Sequence, residues 1–371
     1  MQSQPRVAAA GFLVVAVRSG RMSDALPRAS LMVLTIIAVL WAAYAAAAFA
    51  APLTLALFIL AVSWPIQSGL QTTLPLSIAV VLTVLLIMAV ILVLGSVTIW
   101  AFGTIWQTVI ANVARYQMLY QGAADWLEER GFVVAAFWAD NNSFLWIIRF
   151  IQQIAARMGQ TMSFCVVVLA YVLTGLVETG AAKKRLEELE TRPLARIVLA
   201  GCGESARKLR WYLWVRMIMS FITAATITAF AFFAGIPFPM EWGIIGFTLN
   251  FIPFLGPLIA TTSPSLFVLA QLGNAGLAVF AFLCLTTIQF LLGSYVEPKI
   301  SGGALHISPF VILLSIFLWT FLWGVYGAFI GVPIAIVVAS FSRAMLGISE
   351  PTGENKLAVA SKENVISSTS V

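Results

Sequence analysis

Apolar residues in this chain come in long unbroken runs, not in the alternation of a half-buried strand or the three-to-four spacing of a water-soluble helix. Between Ala29 and Ala114 there is no Asp, Glu, Lys, Arg or His. Between Met217 and Ser342 only Glu241, Glu297, Lys299 and His306 interrupt the run. A helix rising ~1.5 Å per residue needs about 20 apolar residues to cross a hydrocarbon core ~30 Å thick. Residues 31–68 therefore predict two crossings, with Pro52 marking the junction because proline suits the first turn of a helix better than its interior. Residues 75–101 predict a third, long or tilted; residues 160–178, 211–235 and 276–296 predict further clean crossings.

Two segments do not fit one simple span. Residues 241–272 and 307–342 are each too long for a single crossing and are interrupted by Pro and Gly. Each reads either as one long broken span or as a re-entrant hairpin of two half-helices, and applying either choice to both leaves the C-terminus on the same side. The fold class expected is all-α: a polytopic membrane protein with about eight transmembrane segments, some Pro/Gly-broken or re-entrant, plus an amphipathic extracytoplasmic loop.

Charge sets the sidedness. The segment holding Lys183, Lys184, Arg185, Arg192, Arg196, Arg207, Lys208, Arg210 and Arg216 is cytoplasmic by the positive-inside rule. So is the N-terminal tail, with Arg6, Arg18, Arg21 and Arg28 against Asp24. An even number of crossings between them makes the two assignments agree. The loop between, mixing Asp125, Glu128, Glu129 and Asp140 with Arg115, Arg130, Arg149 and Arg157, then faces outward as amphipathic helices. The run Val7 to Val17 has no clear cleavage site after it and reads as an interfacial or disordered tail in preference to a cleaved signal. The organisation expected is a cytoplasmic tail (1–28), three transmembrane helices (29–101), the outer loop (102–159), a transmembrane helix (160–180), a basic cytoplasmic segment (181–210), a transmembrane transport core (211–345) and a disordered cytoplasmic tail (346–371).

Composition agrees with a lipid environment: 61% of residues are hydrophobic and 10% charged, against about 45–50% and about 25% in soluble domains. The net charge of +6 comes from bases beside hydrophobic spans, so the partner it implies is the lipid bilayer and no nucleic acid. Cys165, Cys202 and Cys284 are odd in number and widely separated, so neither a disulfide nor a metal cluster is expected. His306 is the only histidine, with no second ligand at any spacing. The chain carries no phosphate-cradling glycine loop, no His-Glu-x-x-His and no cysteine pair. It is therefore expected to be no enzyme, ATP-driven pump or zinc protease, and to use no cofactor.

Chemistry is expected where the backbone must break. In Leu249-Asn250-Phe251-Ile252-Pro253-Phe254-Leu255-Gly256-Pro257, continuing to Thr261-Thr262-Ser263-Pro264, a helix would leave the carbonyls of Leu249, Pro253 and Ala260 without donors. In lipid such backbone survives only buried in protein or lining a wet cavity, and paired Gly/Pro-broken segments are the sequence pointer to a transporter's site. Helices that are merely kinked and packed are the alternative. A second candidate is Glu297-Pro298-Lys299 with Gly302, followed by Ser308 as N-cap and Pro309 at the first helical position; Pro298 is expected to end the preceding helix. Below the headgroups those two charges need each other or the backbone and are functional candidates; at the surface they are interfacial. Arg216 reads as a side chain snorkelling to the cytoplasmic interface, with a substrate contact as the alternative. Asn250 and Gln289 read as interhelical hydrogen-bonding residues.

The strings LRWYLWVRMIMSFITA, EWGIIGFTLNFIPFLGPLIATTSP and YVEPKISGGALHISPFVILLSIFLWTFLWGVYGAFIGVPIAIVV resemble the autoinducer-2 exporter family of bacterial inner-membrane permeases, over roughly 211–345. The resemblance implies a multi-pass inner-membrane protein with both termini cytoplasmic, assembling as a homo-oligomer, a pentamer in one reading. It implies export of a small polar metabolite or signal such as autoinducer-2; exchange of sodium or lithium for protons through Glu297 is the alternative, and a non-transporting scaffold a third reading. The family's Asn-x-Ile-Pro-x-x-Gly stretch corresponds to Asn250, Ile252, Pro253 and Gly256, and its Glu-Pro motif to Glu297 and Pro298. The chain departs from the family pattern at Gly303, at His306 and at Val325, which stands where the family carries proline. The substrate pathway expected is Asn250, Pro253, Gly256, Pro257, Thr261, Thr262, Glu297, Pro298, Lys299 and Gly302, taking a small-molecule or cation substrate.

Overall fold

The computed structural model describes residues 30–31, 33–112, 129–130, 145–189, 192–301 and 307–347, with side chains described outside 145–160. Among the described residues there are helices and turns and no strands. Two compact units divide the chain, 1–51 and 52–371. Helix α1 (Val33–Ala45) and the first turn of α2 (Ala47–Leu70) belong to the first.

The junction between α1 and α2 falls at Ala46, ahead of Pro52, which lies inside α2. Alanine is the strongest helix former, and the alanines of 47–51 extend α2 backwards past the proline. A second internal proline, Pro65, cannot donate to the Ala61 carbonyl. Arg210 replaces the missing donor: its Nη1 lies 3.0 Å from Ala61 O.

The second unit continues with α3 (Leu76–Ala111), α4 (Leu145–Glu188) and α5 (Pro193–Phe233). At ~1.5 Å per residue these are ~54, ~66 and ~62 Å long, about twice the hydrocarbon thickness. Helix α3 runs on through the expected start of the outer loop, and α5 fuses the expected basic segment and fifth crossing into one rod. Most of the expected outer loop and both terminal tails lie outside the described residues. Helices α2 and α4 pack through Ala56, Val168, Val172 and Leu176, joined by Val80 of α3; Gln67 of α2 donates to the Leu176 carbonyl at 2.9 Å.

Both interrupted segments are hairpins. The first pairs α6 (Pro239–Leu249) with α7 (Leu255–Leu272). Trp242 and Phe267 meet edge to face at 5.4 Å, and at the tip Gly256 comes so close to the Leu249 carbonyl that no Cβ fits. The second is α10 (Pro309–Met345), whose helical path breaks at Gly324, φ 63° and ψ −141°, a region open to glycine alone. Gly327 folds back onto the Trp319 carbonyl, and Ser315 donates to the Gly331 carbonyl at 2.7 Å. These are contacts between antiparallel arms.

Between the hairpins runs α8 (Ala275–Leu291), continued by a π-turn at Leu292–Val296 and the short α9 (Glu297–Ser301). Pro298 thus does not end the helix. The π-turn before it has already redirected the hydrogen bonding, so the proline is absorbed. Pro309 sits at the first turn of α10 as expected, whereas Ser308 occupies the cap position without a side-chain cap bond. Seven helices among the described residues are long and apolar enough to cross a membrane by length and composition.

Candidate functional site

Helix α5 works as a ruler. Along it, Glu204 meets Arg343 of α10 (3.3 Å), Arg210 meets Ala61 and Trp211 Nε1 donates to the Ser301 carbonyl at 3.1 Å. Further along, Arg216 meets Glu297 at 3.5 Å, and Ser220 Oγ accepts from Asn250 Nδ2 at 3.2 Å. The order shows that α8–α9 runs antiparallel to α5, and that the α6–α7 hairpin descends from the far end of α5 until its tip reaches Ser220.

The α10 hairpin comes from the opposite end. Arg343 at its base lies beside Glu204, and Ile336 and Val332 share a core with Leu209 and Tyr212. At the other end of that arm Tyr326, two residues beyond the Gly324 break, stacks on Phe164 of α4 at 3.9 Å, and its hydroxyl lies 3.2 Å from Thr161 Oγ1. Trp211, an aromatic at the end of the apolar stretch, is ~14 Å from Ser220 along the helix axis, so the first tip stops about halfway along a span of ~30 Å. The broken backbone of the first tip, at Pro253 and Gly256, is buried in protein, where polar main chain is tolerated at such depth.

Small residues permit this approach. Gly243 and Gly246 of α6 lie against Thr228, Ala224 and Ile227 of α5, where any Cβ would collide. Thr98 of α3 and Thr248 of α6 share a hydroxyl–hydroxyl hydrogen bond of 2.8 Å, and Gln271 of α7 donates to the Thr108 carbonyl of α3 at 3.3 Å.

Sequence-expected site residues divide into two groups. Asn250 is buried and bonded across to α5, as interhelical hydrogen bonding required. Pro253 and Gly256 are buried in the tip, and the freed carbonyls find local donors, Ile252 N to Leu249 O and Leu255 N to Pro253 O, at 2.9 and 2.8 Å. Pro257 lies in the first turn of α7. The hydroxyls of Thr261 and Thr262 both donate to the Leu258 carbonyl of their own helix, which turns them away from a substrate role in this state. Glu297 pairs with Arg216, not with Lys299; Pro298 and Lys299 are exposed. Gly302 and His306 fall outside the described residues.

Arg216 therefore belongs to the site. It lies four residues before Ser220, on the same face of α5, with its guanidinium 5.8 Å from the Tyr212 ring centroid. The signal in the sequence was charge balance, since a lone Glu297 at depth calls for a cation. Ser220 and Thr223, which extend the same face, carry no such signal. Three buried polar atoms here have no hydrogen-bond partner: Arg216 Nε, Thr223 Oγ1 and Gln289 Nε2. With Arg216 opposite Glu297, the antiparallel register sets Gln289 level with Thr223, so the orphaned groups gather in one stretch above the ion pair. A buried polar group without a partner costs about 1–3 kcal/mol, and a passing polar solute would relieve that cost.

Comparison with known proteins agrees with this architecture. A putative transport protein of Borreliella burgdorferi is 30% identical over 183 residues, covering 49% of this chain and 50% of its own length. The AI-2 transport protein TqsA of Escherichia coli is 29% identical over 183 residues, 49% of this chain and 52% of TqsA. A putative transport protein of Haemophilus influenzae is 23% identical over 202 residues, 52% and 56% of the two chains. The chain thus spans about half the length of the curated relatives it matches. A family model, the AI-2E family transporter, matches residues 31–347. With nearly all of its membrane-embedded helices inside that match, the chain belongs to the AI-2E transporter family.

Proposed function

We propose that this permease exports a small polar metabolite or signalling molecule resembling autoinducer-2 across the bacterial inner membrane, along a route past the Asn250 hairpin tip and the Arg216–Glu297 pair. The observation that carries the reading is the bond from the Asn250 tip to Ser220, one turn from the Arg216–Glu297 pair on the same face of α5. Prolines and glycines keep helices from closing there, and Thr223, Gln289 and Arg216 offer unsatisfied polar atoms. The name of TqsA supports autoinducer-2 as the solute to try first. The bases Arg196, Arg207, Lys208 and Arg210 crowding one end of α5 support a cytoplasmic placement of that end.

The charge state favours a neutral solute over an exchanged cation. Glu297 has a guanidinium 3.5 Å away, so its charge is already compensated. Purified protein in proteoliposomes tests the reading with AI-2 as the solute. Asn250→Ala and Glu297→Gln are each expected to cut flux at least tenfold at normal protein levels. Wild-type flux in both variants would remove the site from the pathway.

A further inference from the structure

The π-turn lies immediately before Glu297, and its cause is chemical. A π-turn pairs each N–H with the carbonyl five residues back, and Glu297 N donates to Leu292 O. The α-type donor to the Gly293 carbonyl is thereby diverted. The π-type donor to that carbonyl would be residue 298, which is proline and has no N–H. The Gly293 carbonyl thus has neither helical donor, and Pro298 also removes the α-type donor of Ser294.

Position and space agree. Leu292 packs against Val215 and Met219, which sets Gly293 at the depth of the Asn250 tip. A Cβ on Gly293 would meet nothing within 4 Å, and Gly293 and Ser294 are both exposed. One turn away stands the Glu297 carboxylate, neutralised by Arg216. A released carbonyl beside a charge-compensated carboxylate is a pair of acceptors with no net pull on a bare cation. Such a pair can accept from two neighbouring hydroxyl groups of a neutral molecule.

We propose that the Gly293 carbonyl, released from its helix by Pro298, is with Glu297 the acceptor site that recognises a vicinal diol on the transported solute. The inference rests on the permease reading above and names the specificity-determining atoms within it. Pro298→Ala returns an N–H to position 298 and lets the helix recapture the carbonyl. In proteoliposomes supplied with AI-2, this variant is expected to show a KM raised at least tenfold with thermal stability equal to or above wild type. Wild-type KM in Pro298→Ala overturns the acceptor role and leaves the permease reading standing; wild-type protein moving no AI-2 overturns that reading instead.

A second measurement needs no transport. With Cys165, Cys202 and Cys284 replaced by Ala, Ser294→Cys is labelled with a membrane-impermeant thiol reagent, with and without xylitol as the diol probe. Xylitol is expected to slow labelling at least threefold, and to lose that effect when Pro298→Ala is added. Equal labelling rates with and without xylitol, or protection that survives Pro298→Ala, would overturn the proposal.

Discussion

Replacing Gly327 by alanine separates two readings of α10 by the sign of its effect. In one continuous helix a Gly→Ala change stabilises by about 0.8–1 kcal/mol, because glycine loses the most backbone entropy. In the hairpin, the new Cβ is driven into the Trp319 carbonyl, and the atom met is main chain, which cannot swing aside. Overpacking of this kind costs about 1–3 kcal/mol. Parting the arms also stretches the 2.7 Å bond from Ser315 to the Gly331 carbonyl, worth about 1 kcal/mol. A loss of about 2–4 kcal/mol is expected. Gly95→Ala in α3 is the internal control, since its Cβ meets nothing within 4 Å, and it should stabilise by about 1 kcal/mol. Heating the detergent-solubilised proteins and following intrinsic tryptophan fluorescence compares the midpoints, at a few degrees per kcal/mol. If Gly327→Ala rises with Gly95→Ala, the two arms of α10 are not folded together.

Arg210→Ala should lower stability by about 1.5–3 kcal/mol, the worth of a charge-assisted bond to the Ala61 carbonyl. Pro65→Ala in that background should recover most of the loss by restoring a backbone donor; a strictly additive double variant in the same melting assay would refute the compensation. Glu204→Gln should cost about 1.5–3 kcal/mol, the worth of a charge-assisted hydrogen bond, because the carboxylate lies 2.7 Å from Lys208 and 3.3 Å from Arg343. Removing one cation as well, with Arg343→Met, should return part of that stability, and a melting temperature unchanged by Glu204→Gln would show the cluster to be solvated.

Hydropathy alone carried the class and the two broken segments of the last third, since a bilayer allows few backbone solutions; it expected about eight crossings where seven helices among the described residues are long and apolar enough. What it could not carry is the third dimension of those breaks. Pro253, Gly256 and Gly324 signal an interruption equally well in a kinked span and in a hairpin. The choice rests on whether Gly327 and Gly331 let one arm lie on the other, a property of pairs distant in sequence. Pro52 and Pro298 misled for a related reason. Proline position predicts a lost hydrogen bond but not how the loss is absorbed, by an alanine-rich extension in α2 and by a π-turn before Pro298. Arg216 looked interfacial because charges near a helix end usually snorkel; its partner lies 81 residues away by subtraction of its number from that of Glu297, beyond the reach of any local pattern.

Read as units, the last part of the chain repeats one motif in two senses. Helix α5 is followed by the α6–α7 hairpin, and α8–α9 is followed by the α10 hairpin, with α8–α9 antiparallel to α5. Each hairpin enters from the end at which its preceding helix stops, so the two enter from opposite ends. Inverted repeats of this kind place the binding site where the halves touch, near the bilayer midplane. The short α6 arm, 11 residues or ~17 Å, stops about halfway through the core for that reason. A longer arm would carry Asn250 past Ser220 and Arg216 and expose its amide to lipid, whereas a shorter one would leave Ser220, Arg216 and Glu297 facing hydrocarbon. The depth of the polar cluster is therefore fixed by where Pro253 breaks the first hairpin, and a change in the length of α6 should abolish flux before it abolishes folding.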